Sequence, residues 1–251
     1  MIESETFKFP RLCVDAELGE GKNVMLAPQQ AHYFRTVLRR QDGDPVRLFN
    51  GRDGEWLGHL QNLSKKAGDV TLEKRLRNQP QKPQRVHLSF APIKKHRMDW
   101  LIEKAVELGA TDFHPVLTQN TETRKINEER MQKQIFEAAE QCERLEIPAL
   151  HPLETLELFL QNWPENVPVL ACLERFDAPP LSNGMSKHTD ICLLIGPEGG
   201  FTSEEKEKIS EKAVPVSLGE TILRCETAAI KALILTENSL QSPLDFHEKD
   251  G

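Results

Sequence analysis

Residues 191–201, ICLLIGPEGGF, decide how the second half of this chain folds. The apolar run predicts a strand buried on both faces, and it ends abruptly in Gly196-Pro197-Glu198-Gly199-Gly200. The next stretch, FTSEEKEKISEKA, predicts a helix in which Thr202 and Glu205 fit a capping box that satisfies the free amides of its first turn. A buried strand, a tight turn and a helix are the repeating unit of an α/β domain with a parallel sheet.

The same alternation of strand and helix runs through the rest of the chain after residue 84. Apolar runs predict strands at RVHLSFAPI, DFHPVL, VPVLACL and VPVSLG. The spacing of Met98, Leu101 and Ala105 predicts a helix between the first two of these strands, and Gly109 ends it. The last predicted helix, ETAAIKALILTENSL, is apolar nearly all round, so it is either a central helix of a monomer or part of a subunit interface.

A break at NQPQKPQ separates this region from a different pattern, because two prolines interrupt both helices and ladder strands. Before the break, short β elements surround one predicted helix, Pro28 to Leu38, and the turn signals at residues 51–54 predict a hairpin. We therefore expect a two-domain α+β protein. Its parts are a small β-rich domain, a linker, an α/β parallel-sheet domain and a polar tail, at residues 1–77, 78–84, 85–240 and 241–251.

The composition is typical of a folded globular protein, with 38% hydrophobic and 28% charged residues among 251. No apolar run approaches the roughly 20 residues of a membrane-spanning helix, and the start, MIESETFKFP, is unlike a secretory signal. Five scattered cysteines without a CxxC pair favour reduced thiols and hence a cytoplasmic location.

The net charge of −7 hides an asymmetry between the two parts of the chain. Residues 1–78 carry 13 Lys+Arg and 11 Asp+Glu, a net of +2, whereas residues 79–251 carry 19 and 28, a net of −9. Contact with a nucleic acid needs a local basic surface rather than a basic whole. The first part is therefore the better candidate for contact with phosphates.

Several kinds of chemistry are excluded by missing motifs. The sequence has no GxGxxG after a strand, no GxxxxGK[ST], no HExxH and no GxSxG, so nothing predicts a dinucleotide site, an NTPase loop, a zinc protease or a serine hydrolase. The eight histidines are scattered, and no metal site is predicted. His32 and His59 either contact RNA or pack at the surface.

Two segments of the α/β region are candidates for a ligand site. Gly196 to Gly200 follows the end of a buried strand, where ligands of open α/β sheets bind, although glycine and proline also make plain turns. Arg224 and Glu226 lie at the mouth of an otherwise apolar helix, where charges are costly unless paired or used. They either pair with each other, cap the helix, or act on a substrate.

Basic residues cluster at two places that suit phosphate. Lys94, Lys95, His96 and Arg97 lie where a helix begins, and a bound phosphate would relieve their conflict with the helix dipole, although a solvated charge run is the simpler explanation. In the first domain the predicted helix carries several cations, and Arg35 and Arg39 are spaced to share one face. The basic side chains that we predict to contact RNA are Arg11, His32, Arg35, Arg39, Arg40, Arg52, Lys94, Arg97, Arg124 and Arg144, with Arg47 as a further candidate; the alternative for those of the first domain is salt bridges to nearby acids.

Five segments together resemble one bacterial family, the RsmE ribosomal RNA methyltransferases of the SPOUT class. They are HYFRTVLRRQDGDPVRLFNGRDG, KHRMDWLIEKAVELGA, EAAEQCERLEIPAL, LLIGPEGGFTSEE and SLGETILRCETAA. The resemblance covers residues 7–240, and GPEGGF followed by LGxxILRxETA is its most specific part. Cys225 departs from the small hydroxyl residue usual in that position, and we expect the exchange to be tolerated because the position packs more than it reacts.

The resemblance implies an N-terminal PUA-like RNA-binding β-barrel, a C-terminal domain with a deep trefoil knot, and a homodimer. It also implies S-adenosylmethionine as methyl donor and a uridine of the 16S ribosomal RNA, in the small subunit (30S particle), as the substrate methylated at ring nitrogen 3. The residues that it places around the donor are Leu170, Ala171, Cys172, Leu173, Gly196, Pro197, Glu198, Gly199, Gly200, Ser217, Leu218, Gly219, Ile222, Leu223 and Arg224.

The chemistry of this reaction suggests roles for three charged residues. Uracil carries a proton on nitrogen 3, so the proton must leave before the nitrogen can attack a methyl group. Arg224 could stabilise the uracil anion, and either Glu198 or Glu226 could take the proton. Two alternatives remain open at this point: a non-catalytic RNA-binding or ribosome-assembly protein, and a methyltransferase for another RNA.

Overall fold

The computed structural model describes residues 5–80, 85–184 and 190–241. The chain divides into two compact units, one formed by Met1–Pro83 with Ala139–Ile147 and the other by Gln84–Ala138 with Pro148–Gly251. Part of the predicted linker, residues 81–84, and the predicted tail from residue 242 onward lie outside the described residues. The predicted domain limits therefore stay a prediction, but a short segment far along the chain joins the first unit.

The first unit is built on a five-stranded sheet with the strand order β1-β3-β4-β5-β2. The β1–β3 pair is parallel and the other neighbours are antiparallel. The predicted hairpin at residues 51–54 joins β3 to β4. The strands are β1 (Arg11–Cys13), β2 (Asn23–Met25), β3 (Pro45–Phe49), β4 (Glu55–Gln61) and β5 (Asp69–Arg77).

The predicted helix over Pro28 to Leu38 is shorter and less regular than expected. It comprises an α-helix, α1 (Pro28–His32), and one turn of π-helix, Tyr33–Val37. Arg39 follows with a φ of 54°, a left-handed conformation outside the helix. The prediction that Arg35 and Arg39 share one helical face is therefore wrong, because the helix ends before Arg39.

A buried ionic cluster in the first unit corrects two of the predicted RNA contacts. Glu55, whose side chain is 1% exposed, accepts hydrogen bonds from Arg11 Nε at 2.6 Å and Arg77 Nε at 2.7 Å. The side chains of Arg11 and Arg47 are each 4% exposed, and Arg47 also donates to Glu143 at 2.7 Å. Both guanidiniums were predicted to contact phosphate. Both instead form ion pairs inside the protein, because a buried carboxylate is stable only beside cations.

Contacts of Arg11 explain why residues 139–147 belong to the first unit. Arg11 Nη1 donates to the carbonyl oxygens of Ala139 at 2.9 Å and Glu140 at 3.2 Å, and Nη2 donates to the carbonyl of Arg144. The Glu140 carboxylate accepts the backbone N–H of Cys13 at 2.6 Å. Carbonyls left free at the end of a helix are thus satisfied by an arginine from β1.

The second unit has a parallel sheet with the strand order β12-β10-β11-β6-β7-β8, and β9 pairs with β7. This confirms the predicted α/β parallel-sheet class. The strands are β6 (Val86–Phe90), β7 (Asp112–Leu117), β8 (Ala149–Leu150), β9 (Glu154–Thr155), β10 (Val169–Cys172), β11 (Ile191–Ile195) and β12 (Val214–Val216). The helices are α2 (Lys95–Glu107), α3 (Glu128–Gln141, which ends in the first unit), α4 (Leu156–Asn162), α5 (Leu181–Gly184), α6 (Ser203–Lys212) and α7 (Cys225–Gln241).

The order of the strands places the candidate site. All five residues of β11 are buried, as the apolar run predicted, and β11 lies between β10 and β6. Because β10, β11 and β12 are neighbours and run parallel, the loops that leave their carboxyl ends converge at one edge of the sheet. The predicted trefoil knot stays a prediction.

Helix α7 packs against α2 and β11 through a fully buried side that includes Ala229, Ala232 and Leu233. Ile234, on the same helix, is 41% exposed, which leaves an apolar contribution to the surface. Both predictions for this helix, a central position and a subunit interface, agree with that distribution. Among the described helices, none is both long and apolar enough to cross a membrane.

Candidate functional site

The loops after β10, β11 and β12 and the first turn of α7 enclose a cavity of about 400 Å³. Eleven of the residues predicted to hold a ligand line it: Cys172, Leu173, Gly196, Pro197, Gly199, Gly200, Ser217, Leu218, Gly219, Ile222 and Leu223. The other predicted residues lie elsewhere: Leu170 and Ala171 are fully buried within β10, and Glu198 and Arg224 belong to the same loops but not to the wall.

The wall also contains residues that the sequence patterns did not single out. Phe176 and Phe201 contribute aromatic rings, and Glu174, Lys206 and Glu220 contribute charges. Phe201 belongs to the GPEGGF motif, but its ring contact with the glycine loop requires the folded structure to recognise. The site is therefore mostly apolar and backbone-lined, with a few charged groups at its margin.

Contacts within the protein itself explain why glycine stands at two positions of the loop after β11. A Cβ atom at Gly196 would lie 2.7 Å from Cε2 of Phe201, so only glycine lets that ring close over the strand end. Gly200 has a φ of 68° and donates its N–H to the carbonyl of Pro197 at 2.9 Å, which closes a tight turn. At Gly196, the close approach that glycine permits is thus one between the backbone and the Phe201 ring.

A second loop, after β7, holds the glycine loop in place, and its main residue was missed by sequence reasoning. Asn120 Nδ2 donates to the carbonyl oxygens of Gly199 at 3.2 Å and Gly200 at 2.9 Å. The carboxylate of Glu205 accepts the N–H of Gln119 at 2.8 Å and that of Thr202 at 2.9 Å. The predicted capping box of Thr202 and Glu205 is confirmed, and Glu205 in addition joins the two loops.

Three charged side chains meet beside this cavity. Arg97 Nη1 lies 3.3 Å from Glu198 Oε1 and 3.7 Å from Glu226 Oε2. Glu226 is 8% exposed, and its Oε2 atom has no hydrogen-bond partner among the described residues. Arg97, predicted to contact RNA from a surface run of cations, is therefore turned toward the two carboxylates that were proposed as proton acceptors.

Arg224 occupies a different environment from Glu226, although they are two residues apart. Its side chain is exposed, and no ion pair to it is found within the described ranges. Its carbonyl oxygen accepts the N–H of Ala228 at 2.8 Å at the start of α7. The alternative that Arg224 and Glu226 pair with each other is therefore wrong, because Arg97 holds Glu226.

Cys225 and Cys172 line the cavity as neutral thiols. Burial raises the pKa of each to about 12, since a thiolate would lose hydration there. A thiol with so high a pKa is a poor nucleophile at neutral pH. This agrees with the expectation that the unusual Cys225 packs rather than reacts.

The remaining cations that were predicted to contact RNA differ in their exposure to solvent and in their ion pairs. His32, Arg35, Arg39 and Arg124 are exposed, and Arg40 is half-buried. Two others are exposed in ion pairs, Arg52 with Asp15 at 3.4 Å and Lys94 with Glu122 at 3.7 Å. Arg144 is 17% exposed and pairs with Glu146 at 3.2 Å, so it offers little to a partner.

Apolar side chains accompany the exposed cations of the first unit. Tyr33 is 43% and Val37 is 61% exposed, and both belong to the helical segment that carries His32 and Arg35. His59, the other histidine considered for RNA, instead hydrogen-bonds the Gly43 carbonyl at 3.0 Å and the Glu73 carboxylate at 2.9 Å. These two bonds raise the pKa of His59 above its ordinary value.

Comparison with known families and solved structures agrees with this geometry. The family model of an RNA methyltransferase domain matches residues 80–237, and that of an RNA methyltransferase PUA domain matches residues 26–73. Among similar solved structures, the ribosomal RNA small subunit methyltransferase E of Neisseria gonorrhoeae, bound to S-adenosyl methionine, is 26% identical with a TM-score of 0.81, over 92% of this chain and 97% of that one. A Legionella pneumophila protein in complex with bound SAM is 30% identical with a TM-score of 0.83, over 92% and 98%.

Curated relatives extend the same likeness along the sequence. The ribosomal RNA small subunit methyltransferase E of Rickettsia conorii is 35% identical over 90% of this chain and 94% of its own length. The protein of that description from Synechocystis is 35% identical over 92% of this chain and 78% of its own length. The first unit is thus PUA-like, the second is an RNA methyltransferase domain, and the chain belongs to the ribosomal RNA small subunit methyltransferase E family.

Proposed function

We propose that the chain transfers the methyl group of S-adenosylmethionine to ring nitrogen 3 of a uridine in 16S ribosomal RNA of the small subunit. The observation that carries this proposal is the cavity at the ends of β10, β11 and β12, which gathers eleven residues from three motifs of the family. The Neisseria and Legionella relatives, whose fold this chain shares, are described with SAM bound.

The cavity suits an adenosine-containing cofactor in size and lining. Its volume of about 400 Å³ lies within the usual range for small-molecule sites. Ile195, Leu218 and Leu223 provide apolar walls for a flat base, and the backbone of the glycine loop provides polar contacts at its edge. The residues that would hold the cofactor are those of the predicted set that line the cavity. When bound, the cofactor supplies an electrophilic methyl group on a positively charged sulfur.

We assign to Glu226 the role of accepting the proton that leaves nitrogen 3 of uracil. Its Oε2 atom is buried, ionisable and without a hydrogen-bond donor among the described residues, so a substrate N–H would satisfy it. Cys225 and Ala228, on the same turn of α7, line the cavity, which brings this part of the helix to the reacting region. Glu198, with 28% of its side chain exposed and an oxygen 3.3 Å from Arg97 Nη1, is the weaker candidate because its carboxylate is accessible to solvent.

Arg97 is a positioning residue in this scheme. Its guanidinium holds the Glu226 and Glu198 carboxylates in place and supplies a positive charge beside the buried carboxylate of Glu226. Arg224, exposed at the start of the same helix as Glu226, is free to neutralise the uracil anion or a neighbouring phosphate. Alignment of the nitrogen with the methyl–sulfur bond supplies the rest of the rate enhancement.

The RNA is proposed to contact exposed cations of both units. In the first unit these are His32, Arg35 and Arg39, with Tyr33 available to stack on an unpaired base. In the second unit they are Lys94 and Arg124. Because nitrogen 3 lies on the Watson–Crick edge, the target uridine must be unpaired or flipped out of its helix. The active species is proposed to be a homodimer, with α7 at the interface.

The product identifies the reaction. Small subunits from cells that lack this modification are incubated with the purified chain and methyl-labelled S-adenosylmethionine, and the nucleosides of the 16S RNA are separated and identified by mass. The label is expected in 3-methyluridine alone. Label in another methylated nucleoside would overturn the assignment of the atom, and RNA binding without any transfer would support a non-catalytic assembly protein.

A further inference from the structure

A second cluster of reactive side chains lies in the parallel-sheet unit, away from the cavity. His87 is near the start of β6, Asp112 begins β7, and His114 follows two residues later. The cavity, by contrast, lies beyond the carboxyl ends of β10, β11 and β12. The cluster therefore belongs to the opposite edge of the sheet and takes no part in the proposed methyl transfer.

The three side chains converge as ligands of one metal ion do. His87 Nδ1 is 3.1 Å from His114 Nε2 and 3.5 Å from Asp112 Oδ2, and one ligand atom from each residue lies within 4.8 Å of the other two. For a tetrahedral ion with ligands at about 2.0–2.1 Å, neighbouring ligand atoms are about 3.3 Å apart. Two edges of the triangle already match this spacing.

Outer contacts hold the carboxylate in a suitable orientation. Asp112 Oδ1 accepts hydrogen bonds from Arg85 Nη2 and, at 3.0 Å, from His151 Nε2. Asp112 Oδ2 accepts one from the Thr111 hydroxyl at 2.8 Å and lies 3.5 Å from His87 Nδ1; a carboxylate oxygen has a second lone pair that can bind a metal ion. Such hydrogen bonds to a ligating carboxylate are a regular part of metal sites. The positive charge of Arg85 is tempered by solvent, since its side chain is 46% exposed.

The surroundings are largely aromatic, and one of the neighbouring side chains is partly exposed to solvent. Trp163 presents its ring edge-on to His87 and His114, with centroids 5.1 Å and 5.2 Å away, and Phe159 packs near His114 at 5.8 Å. His151 stacks on His114 at 3.9 Å and is 41% exposed, so it covers the cluster from the solvent side. Apolar walls of this kind strengthen the attraction between a cation and its ligands.

We infer that His87, Asp112 and His114 bind a divalent transition-metal ion of the zinc class, with water completing its coordination and His151 as an outer partner that holds Asp112. Two imidazoles and one carboxylate are a ligand set that suits Zn²⁺, Co²⁺ and Ni²⁺ better than Mg²⁺ or Ca²⁺. The sequence predicted no metal because the ligands come from two strands, 25 and 27 residues apart, and form no local motif. A bound ion would tie β6 to β7 and stabilise the sheet that carries the cavity.

Cobalt provides a direct test, because its visible absorption reports coordination by nitrogen and oxygen. Full-length protein without a histidine tag is stripped with EDTA and titrated with Co²⁺, followed by competition with Zn²⁺. One equivalent per chain is expected to give visible bands that Zn²⁺ abolishes, and to raise the melting temperature. The bands should disappear in His87→Gln and His114→Gln, whereas His151→Gln should weaken binding about 10–100-fold as an outer partner.

Two controls keep the result decisive. His59→Gln removes an exposed histidine of the first unit and should leave the cobalt spectrum unchanged. Methyl transfer by the three cluster variants should stay within two-fold of wild type. Absence of a saturable cobalt spectrum in the wild type, or a spectrum unchanged in the variants, would overturn the inference and leave the cluster as a hydrogen-bonded network. If His114→Gln fails to fold, the titration of the wild type and of His151→Gln, which changes a partly exposed side chain, still shows whether the cluster binds the metal ion.

Discussion

Arg97 Nη1 lies 3.7 Å from Oε2 of Glu226, a buried oxygen with no hydrogen bond from any described residue. Arg97 belongs to the first turn of α2 and Glu226 to the first turn of α7, and these helices pack on each other. Two positions 129 residues apart in sequence thus form one ion pair beside the cavity. The pair links the proposed role of Glu226 as proton acceptor to the integrity of α2.

Replacing Arg97 with Gln should slow methyl transfer roughly 10²-fold, because the carboxylates that it holds would be misplaced relative to the substrate. The dissociation constant for S-adenosylmethionine should stay within about two-fold, because Arg97 does not line the cavity. Arg97→Lys, which keeps the charge, should recover part of kcat. Lys104→Gln, a change of the same charge further along α2, should behave as wild type in single-turnover kinetics. Equal losses in the two Gln variants would argue against a specific role.

Replacing Asn120 with Ala should weaken binding of S-adenosylmethionine about 10-fold. The variant lacks two hydrogen bonds to the glycine loop, each worth about 0.5–1.5 kcal/mol, so the loop must be ordered by the ligand instead. Gln119→Ala is the matched control, since the hydrogen bond that joins Gln119 to Glu205 uses the backbone N–H. Isothermal titration measures the affinity of both variants for S-adenosylmethionine. Identical affinities for Asn120→Ala and wild type would show that Asn120 does not hold the glycine loop in its binding conformation.

Replacing Glu55 with Ala should destabilise the protein by about 3–5 kcal/mol, because Arg11 and Arg47 would remain buried without their carboxylate. Glu73→Ala, which removes an exposed acid paired with His59, should cost about 1 kcal/mol or less. Urea denaturation of the two variants provides the comparison. A loss at Glu55 as small as that at Glu73 would mean that the buried cluster contributes no more than a surface pair.

Replacing Arg35 and Arg39 together with Ala should weaken RNA binding. It should also lower the slope of log K against log salt concentration by about 0.7–0.9 for each phosphate that is no longer neutralised. Both side chains are exposed, next to Tyr33. Lys74→Ala removes an exposed charge from β5 of the same unit and serves as the control. Affinities measured over a range of salt concentrations separate the two, and unchanged slopes in the double variant would place the RNA on another surface.

Cys172 and Cys225 should resist alkylation in the native protein at pH 8. With pKa values of about 12, only about one thiol in 10⁴ is ionised there, and each unit of added pH raises that fraction tenfold. Iodoacetamide labelling followed by peptide mass spectrometry should show both cysteines labelled fully only after denaturation. Rapid native labelling of Cys225 would mean that its thiol is reachable and ionised, contrary to its packing role.

Features that depend on local pattern were predictable from the sequence. The apolar run of β11, the capping box of Thr202 and Glu205 and the turn at Gly196–Gly200 each arise from neighbouring residues, and all three are present. The α/β class followed from the order of such elements. Most of the residues around the cavity were predicted too, but from the resemblance to the family, and they lie together because three adjacent strands end there.

Features that depend on distant partners were not predictable. Nothing near Arg11 or Arg47 indicates that Glu55 will draw both into the interior, so they were assigned to the surface with the other cations. Arg97 was assigned to RNA for the same reason. The helix after Pro28 changes pitch at Tyr33, a change that apolar spacing does not encode. In each case the deciding interaction joins residues that only the folded chain brings together.

The most direct measurement of the central claim, that the cavity of the second unit is the methyl-donor site, is isothermal titration of the chain with S-adenosylmethionine, beside the variant Gly196→Trp. A Cβ atom at Gly196 already meets the Phe201 ring at 2.7 Å, so an indole there must displace that ring or fill the cavity. Saturable binding by the wild type, lost in a folded Gly196→Trp variant, is the predicted result. Undiminished binding by that variant would place the donor elsewhere and contradict the claim.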